Sequence, residues 1–368
     1  MPQDQHDSRD TLFGLLPARP VLSVPSKEVD GKTVLITGAG GSIGSALAVE
    51  IGKHRPRHVV LLDASEQSLY RVSLNPELRA PYSLVLGSVS DRTLLDDLMD
   101  GHRPQIVFHA AAFKHVPLME FNPFAAVENN GAGTFMLVQS AEKYDVEQLV
   151  MVSTDKAVEP ASIMGASKRI AELIVLAMRS SSTQFRAVRL GNVLASEGSV
   201  LPLFQSQMER GEPLSVTHPQ ATRYFLSVQY AVQLLVLALS EEWPPGILVP
   251  ELGKPIRIEE IARRMLADAA SSQQIVFTGL RPGDKLAEKL ISNDETYLSE
   301  DRAPLRPISS PSISLSELEG AMKNFEQAAL QRDLPRLLNV VSNLVPSYKP
   351  SEVIQTALCQ HPVTGSNR

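Results

Sequence analysis

Residues 33–54 read TVLITGAGGSIGSALAVEIGKH, and no other stretch restricts the possible folds so sharply. TVLIT is a run of apolar and β-branched residues that reads as a buried strand. Gly38, Gly41 and Gly44 follow at G-x-x-G-x-x-G spacing, with Gly40, Ser42 and Ile43 between them, and SIGSALAVEIGKH then reads as a helix. Glycine permits the tight turn and lets backbone N–H groups approach a pyrophosphate at the helix N-terminus. A glycine-rich turn alone would look the same. The strand before it, the helix after it and an acid, Asp63, ending a second strand (HVVLLD, 58–63) point together to a dinucleotide site. Asp63 is expected to accept from the adenosine ribose, with Ala64 and Ser65 beside it. ASEQ (64–67) offers no cation for a 2′-phosphate, so NAD is favoured over NADP.

Further apolar runs, QIVFHAAA (105–112), LVMVST (149–154) and FRAVRL (185–190), alternate with helical patterns, one near 163–179. Near-continuous apolar strands separated by helices predict a parallel sheet covered on both faces. The expected fold class is therefore α/β, a Rossmann-type doubly wound parallel sheet with a smaller C-terminal substrate-binding lobe. The predicted division is an extended N-terminal arm over 1–30, an NAD-binding domain over 31–195 to which part of 220–255 returns, a mainly substrate-binding lobe over 196–292, and a helical extension and tail over 293–368. Within the last, 293–313 reads as loop, 314–344 as two helices and the final dozen residues as frayed. Ser88 and Val89 fall where a third strand ends, beside the adenine. Ala110 and Ala111 end the next strand with small side chains that leave room for a cofactor.

The net charge is −6 and no long basic block occurs, which argues against nucleic acid or an anionic membrane as a partner. The most apolar stretch, YAVQLLVLALSEEW (230–243), is too short to span a bilayer and reads as a buried helix. The start lacks a secretory pattern, and Cys359 is the lone cysteine, which suits a reducing cytoplasm. His109, His115 and His218 lack metal-ligand spacing and read as structural or loop histidines.

The reacting chemistry is expected where LVMVS ends, at Ser153. Thr154, Asp155 and Lys156 follow, a hydroxyl, a carboxylate and an amine at the carboxyl edge of a parallel sheet. They could bind an alcohol, transfer a proton and abstract a carbon-bound proton, provided the Lys156 pKa is lowered by neighbours such as Lys168. The plain alternative is a solvated loop pair. Met164 and Lys168 share a helix face. In many nucleotide-dependent oxidoreductases a tyrosine stands at the position of Met164, which here reads most simply as packing.

The stretches LITGAGGSIGSALA, HAAAFKHVPLME, STDKAVEPASIMGASKR, VRLGNVLASEGSVLPLF, VTHPQATRYF, LRPGDKLAEKL and LVPSYKPS resemble the extended short-chain dehydrogenases/reductases. More narrowly, they resemble the capsular-polysaccharide and flagellin-glycosylation group of UDP-N-acetylglucosamine 4,6-dehydratases, in its methionine-containing, C5-retaining branch. The resemblance runs from roughly residue 12 to 351. Many relatives begin with membrane helices and an extra domain that this chain lacks, so a soluble, cytoplasmic short form is expected, and relatives that associate imply a homo-oligomer. Ser88 stands where the family usually shows an acid, and Asp284 replaces a usual glutamate.

The resemblance implies a closed redox cycle on a UDP-N-acetylhexosamine: hydride leaves C4 for NAD, the C5 proton is removed, water leaves from C6, and hydride returns to C6. By the same carry-over Asp155 is the acid for the C6 hydroxyl, Lys156 the C5 base, and Thr154 holds the C4 hydroxyl. Lys168 bonds the nicotinamide ribose. Ser153, Val193 and Lys114 lie by the cofactor, and Lys114 also by the substrate. Asn192, Ser199 and Val200 line the sugar and UDP site. Arg223, Arg281 and Asp284 fall in the diphosphate region, each arginine also readable as a surface salt bridge. An epimerase on a similar nucleotide sugar and a catalytically inactive NAD-sensing protein remain open as alternatives.

Overall fold

The computed structural model describes residue 22 and residues 26–178, 182–194, 196–299 and 304–360. Most of the expected arm therefore lies outside the described residues. Ser26–Val29 forms a single helical turn.

The centre is a nine-stranded sheet built from β1 (Thr33–Thr37), β2 (His58–Asp63), β3 (Tyr82–Leu86), β4 (Ile106–His109), β5 (Gln148–Thr154), β6 (Gln184–Leu190), β7 (Gly246–Pro250), β8 (Thr296–Tyr297) and β9 (Leu305–Ser309). Their order is β8-β9-β7-β6-β5-β4-β1-β2-β3. The seven strands from β7 to β3 pair in parallel. Every residue of β1 and β4 is buried, which is why these strands read as unbroken apolar runs rather than as alternation. The chain steps outward from β1 to β3, then returns through β4 on the other side. The crevice between β1 and β4 is thus the switch point where such sheets hold ligands.

Helices α1 (Ser42–Gly52), α2 (Glu66–Ser73), α3 (Arg92–His102), α4 (Gly133–Lys143), α5 (Ile163–Ala177) and α6 (Val228–Leu237) cover the sheet. Leu47 and Ile51 of α1 pack with Leu234 and Leu235 of α6 on one face. Leu95, Val138 and Ile170 of α3, α4 and α5 pack on the other. Outside them lie α7 (Leu315–Gln331), α8 (Leu334–Leu344) and α9 (Glu352–Gln360). Ser314 and Glu317 cap α7 reciprocally, as the sequence SLSELEG allows.

A smaller lobe has its own core of Leu201, Phe204, Leu214, Val216, Phe225, Ile258 and Ile261. The strands of this proline-punctuated region are short, pairing Leu214–Val216 with Ile275–Phe277 and Thr222–Arg223 with Ile256–Arg257.

Two expectations are corrected. Residues 293–313 are not all loop: β9 pairs antiparallel with β7, and β8 antiparallel with β9, extending the main sheet. Their signal is weak because β8 is two residues long and β9 contains Pro307, a residue depleted in strands. Nor is the end frayed up to residue 360, because Ile354 anchors α9 at 1% exposure. Residues 361–368 lie outside the described residues.

Candidate active site

Gly38 turns the chain out of β1 with a φ of +66°, and a Cβ there would stand 2.6 Å from the Ala111 nitrogen. A Cβ on Gly44 would stand 2.1 Å from the Gly38 carbonyl oxygen. Both backbones are packed too closely for any side chain. Helix α1 begins at Ser42 with no side-chain cap from Gly41, so its first N–H groups face outward without intrahelical partners. That end is suited to a phosphate. Gly44→Ala is expected to abolish dinucleotide binding and lower the melting temperature, measured by calorimetry and thermal denaturation.

Asp63 ends β2 one strand away. Its two oxygens accept from the Gly40 and Ser65 nitrogens, each at 2.8 Å, which ties β2 to the glycine turn. Each oxygen keeps a lone pair for a sugar hydroxyl. Asp63, Ala64, Ser88, Val89, Ala110 and Ala111 line a cavity of about 160 Å³. It shares Gly38, Gly41 and Ala110 with a larger cleft of about 740 Å³. A glycine cradle between a small and a large compartment has the layout an adenosine–diphosphate–nicotinamide ligand requires.

The far wall of the cleft is the end of β5 and the start of α5: Ser153, Thr154, Lys156, Met164 and Lys168. A short 3₁₀ turn, Asp155–Ala157, carries the chain off the sheet edge. Asp155 does not line the cleft. It is fully buried, and its Oδ1 accepts from Thr154 Oγ1 and from Lys156 Nζ, each at 3.0 Å. Its Oδ2 has no hydrogen-bond partner among the described residues. Lys156 Nζ also donates to Asn192 Oδ1 at 2.8 Å. Asp155 and Lys156 are therefore a half-enclosed ion pair and not a solvated loop pair.

Ser162 caps α5 by accepting from the Gly165 nitrogen. The helix sets Met164, Lys168 and Glu172 on one face. Burial lowers the Lys168 pKa to about 8, although Glu172 pulls it upward. Burial, and then Lys168, holds His109 down to about 3, so it is neutral. His109 bridges Thr37 and Thr134, whose hydroxyl donates onward to the Asn130 carbonyl. Nε2 therefore carries the proton, Nδ1 accepts from Thr37, and His109 is structural.

Asn192, Val193, Ser199, Arg223, Arg281, Asp284 and Lys114 all line the larger cleft. Val200, one residue beyond Ser199, does not, and neither does Gly40. The cleft walls displace water around Lys114 and lower its pKa, with Glu197 opposing. Arg223 is not a free diphosphate clamp. Its guanidinium donates to the carbonyls of Thr222, Leu286 and Lys285, locking the 285–288 segment. Arg281 is exposed at the rim, with Nε donating to Asp284 at 2.8 Å. Asp284, the shorter acid of this motif, engages its own loop. Among the described residues no group of three His, Cys, Asp or Glu side chains could hold a metal ion.

Sequence reasoning missed the polar layer beneath this wall. Asn130, in a π-helical turn, accepts from Phe113 N and donates to Phe113 O and Ser167 Oγ. Glu172, Arg189 and Glu295 form a buried ion cluster behind Ser153. An arginine inside the strand FRAVRL was the available signal, since a charge within a doubly covered strand must be paired.

A family model described as polysaccharide biosynthesis protein matches residues 34–306. The chain belongs to this family. Within it, the capsular polysaccharide biosynthesis protein CapD of Staphylococcus aureus is 40% identical over 299 residues, covering 78% of this chain and 50% of that protein. The probable polysaccharide biosynthesis protein EpsC of Bacillus subtilis is also 40% identical over 299 residues, 79% of this chain and 50% of that protein. The chain spans about half the length of these curated relatives. A UDP-glucose 4-epimerase of Rickettsia rickettsii is 35% identical over 281 residues, 73% of this chain and 80% of that protein. The X-ray structure of Pen from Bacillus thuringiensis superposes with a TM-score of 0.69 at 26% identity, covering 80% of this chain and 98% of that one. The Thermus thermophilus UDP-glucose 4-epimerase in complex with NAD gives a TM-score of 0.62 at 21% identity, over 71% of this chain and 90% of that one, a likeness of fold alone. No described helix is long and apolar enough to cross a membrane.

Proposed function

We propose that this chain is an NAD-dependent nucleotide-sugar 4,6-dehydratase acting on UDP-N-acetylglucosamine with retention at C5, serving polysaccharide biosynthesis. The observation that carries this reading is the Thr154–Asp155–Lys156 array at the sheet edge, with Thr154 and Lys156 lining a cleft of dinucleotide size and Asp155 bonded to both from behind, and with Met164 where a phenol would serve a simple dehydrogenase. Bound NAD would supply the acceptor and later the donor of one hydride. Thr154 Oγ1 holds the C4 hydroxyl and hands its proton inward to Asp155, 3.0 Å away. In its unprotonated form, and once substrate loosens its contact with Asn192, the Lys156 amine removes the C5 proton and returns it to the same carbon after hydride adds at C6. Asp155 lies behind Thr154, so the proton it holds passes back out through the Thr154 hydroxyl to the C6 oxygen as water leaves. Lys168 orients the nicotinamide ribose, and Arg281 the diphosphate.

The test is incubation with UDP-N-acetylglucosamine and mass spectrometry for the loss of one water. No loss from any UDP-hexosamine, with NAD still bound, would leave the NAD-sensing reading. The relatives named UDP-glucose 4-epimerase favour epimerisation as a second reading. Asp155→Asn separates the two: dehydration is expected to fall at least ~10²-fold, the usual loss for a positioned proton donor, whereas an epimerase has no C6 step to lose.

Lys168 also sets a pH limit. Its pKa of about 8 in the folded protein lies below the ordinary lysine value of 10.5. Above about pH 8 it loses the proton that makes it a charged donor. NAD affinity measured by calorimetry from pH 6.5 to 9.5 is expected to weaken on the alkaline side of about 8, and Lys168→Met to remove that limb.

A further inference from the structure

Ser153 precedes the reacting array, and its hydroxyl is not free for a ligand, because it donates to Glu172 Oε1 at 2.7 Å. The same oxygen accepts from Arg189 Nε at 2.8 Å, and Arg189 stands opposite Ser153 in the β5–β6 register. The second Glu172 oxygen accepts from Arg189 Nη2 and Arg169 Nη1. Arg189 continues to Glu295, whose oxygens it meets with Nη1 and Nη2 at 2.7 Å each, and to the Leu290 carbonyl. Glu295 completes its acceptor capacity with the Ser292 nitrogen and the Ser310 hydroxyl. Arg169 reaches the Ser310 hydroxyl and the Pro311 carbonyl. Two guanidinium groups balance two carboxylates, and Arg189 spends all its donors within the network.

A fully satisfied buried network has essentially one geometry, because each member is held by several others and any displacement orphans a charge. One end of this network is the cleft-lining Ser153. The other end is Glu295 and Ser310, which flank β8 and β9, strands that lie beyond the parallel sheet and touch no part of the cleft. We propose that the appended edge, residues 288–299 and 304–311, positions the reacting end of the cleft by fixing the β5 terminus through Arg189 and Glu172. Glu295 and Ser310 are positioning residues.

The consequence for cofactor affinity rests on the reading of the cleft as an NAD site; the consequence for the β5 terminus does not. Glu295→Gln and Ser310→Ala are compared with the parent full-length chain by amide hydrogen exchange and by NAD calorimetry. In Glu295→Gln, exchange of the 153–157 amides is expected to quicken about tenfold while β2 (58–63) is unchanged, and the NAD Kd to rise about tenfold. Ser310→Ala, which loses a single hydroxyl, is expected to give about threefold in each and decides the matter if Glu295→Gln does not fold. Unchanged exchange at 153–157 in a folded variant overturns the proposal. So does faster exchange spread equally over β2 and β5, which would mark a merely structural role. A parent protein that fails to bind NAD sinks the cofactor reading and leaves the exchange result to judge this one.

Discussion

Replacing Lys156 with alanine is expected to lower dehydration of UDP-N-acetylglucosamine about 10³-fold, inside the ~10²–10⁴ range for a positioned proton-transfer group. The amine is held at 2.8 Å from Asn192 and 3.0 Å from Asp155 at the cleft wall. Among the described residues the cleft is lined by two other amines, Lys168, which the proposed mechanism commits to the ribose, and Lys114. In deuterated water the variant should incorporate no label at C5, because the step that exchanges that carbon is gone. Alanine also strips a buried carboxylate of its cation, so lost turnover could reflect a disturbed fold. Lys156→Arg separates the two effects: a guanidinium keeps the charge beside Asp155 but does not release its proton. It should melt near the parent temperature and be as inactive as the alanine variant. Turnover by Lys156→Arg at the parent rate would remove Lys156 from the proton chemistry.

Arg189→Leu is expected to cost about 3–5 kcal/mol of stability, the usual result of breaking a buried ion pair from one side. The leucine leaves Glu172 and Glu295, both essentially without solvent contact, facing Arg169 alone. The pH dependence carries the same signature. Burial raises the Glu295 carboxyl, but hydrogen bonds and charge from Arg189 overcome it and hold the pKa at about 2, against an ordinary 4.5. A carboxylate depressed on folding contributes stability that is complete above the unfolded value and fades as pH falls toward the folded one. The parent should therefore lose this contribution between about pH 4.5 and 2, while Arg189→Leu, already without it, shows a flatter slope there. Denaturant midpoints across pH 2–7 measure both effects. A variant as stable as the parent at pH 7 would mean that the cluster contributes nothing net.

Much of the site could be read from the chain because it rests on local chemistry. The glycine spacing after TVLIT, the acid ending HVVLLD and the triplet after LVMVS each need only a strand and its direction to place them at one sheet edge. The polar layer under that edge was hidden. Glu172 sits in a helix and Glu295 in a proline-punctuated stretch, 123 positions downstream by their numbers. Nothing in the spacing says that both meet Arg189. The partners of Arg223 were hidden for the same reason: it lines the cleft as its place near a phosphate motif suggests, while backbone carbonyls take three of its hydrogen bonds.

The sequence by itself determined the parallel doubly covered sheet, the glycine cradle and the residues at the end of β5, because periodicity and backbone sterics act over a few residues. Tertiary structure alone decided that Asp155 lies beneath the cleft wall instead of in it, that Lys168 is buried, and that β8 and β9 extend the sheet. Burial and charge pairing depend on which distant segments fold against each group, and neighbours in space leave no trace in the spacing along the chain.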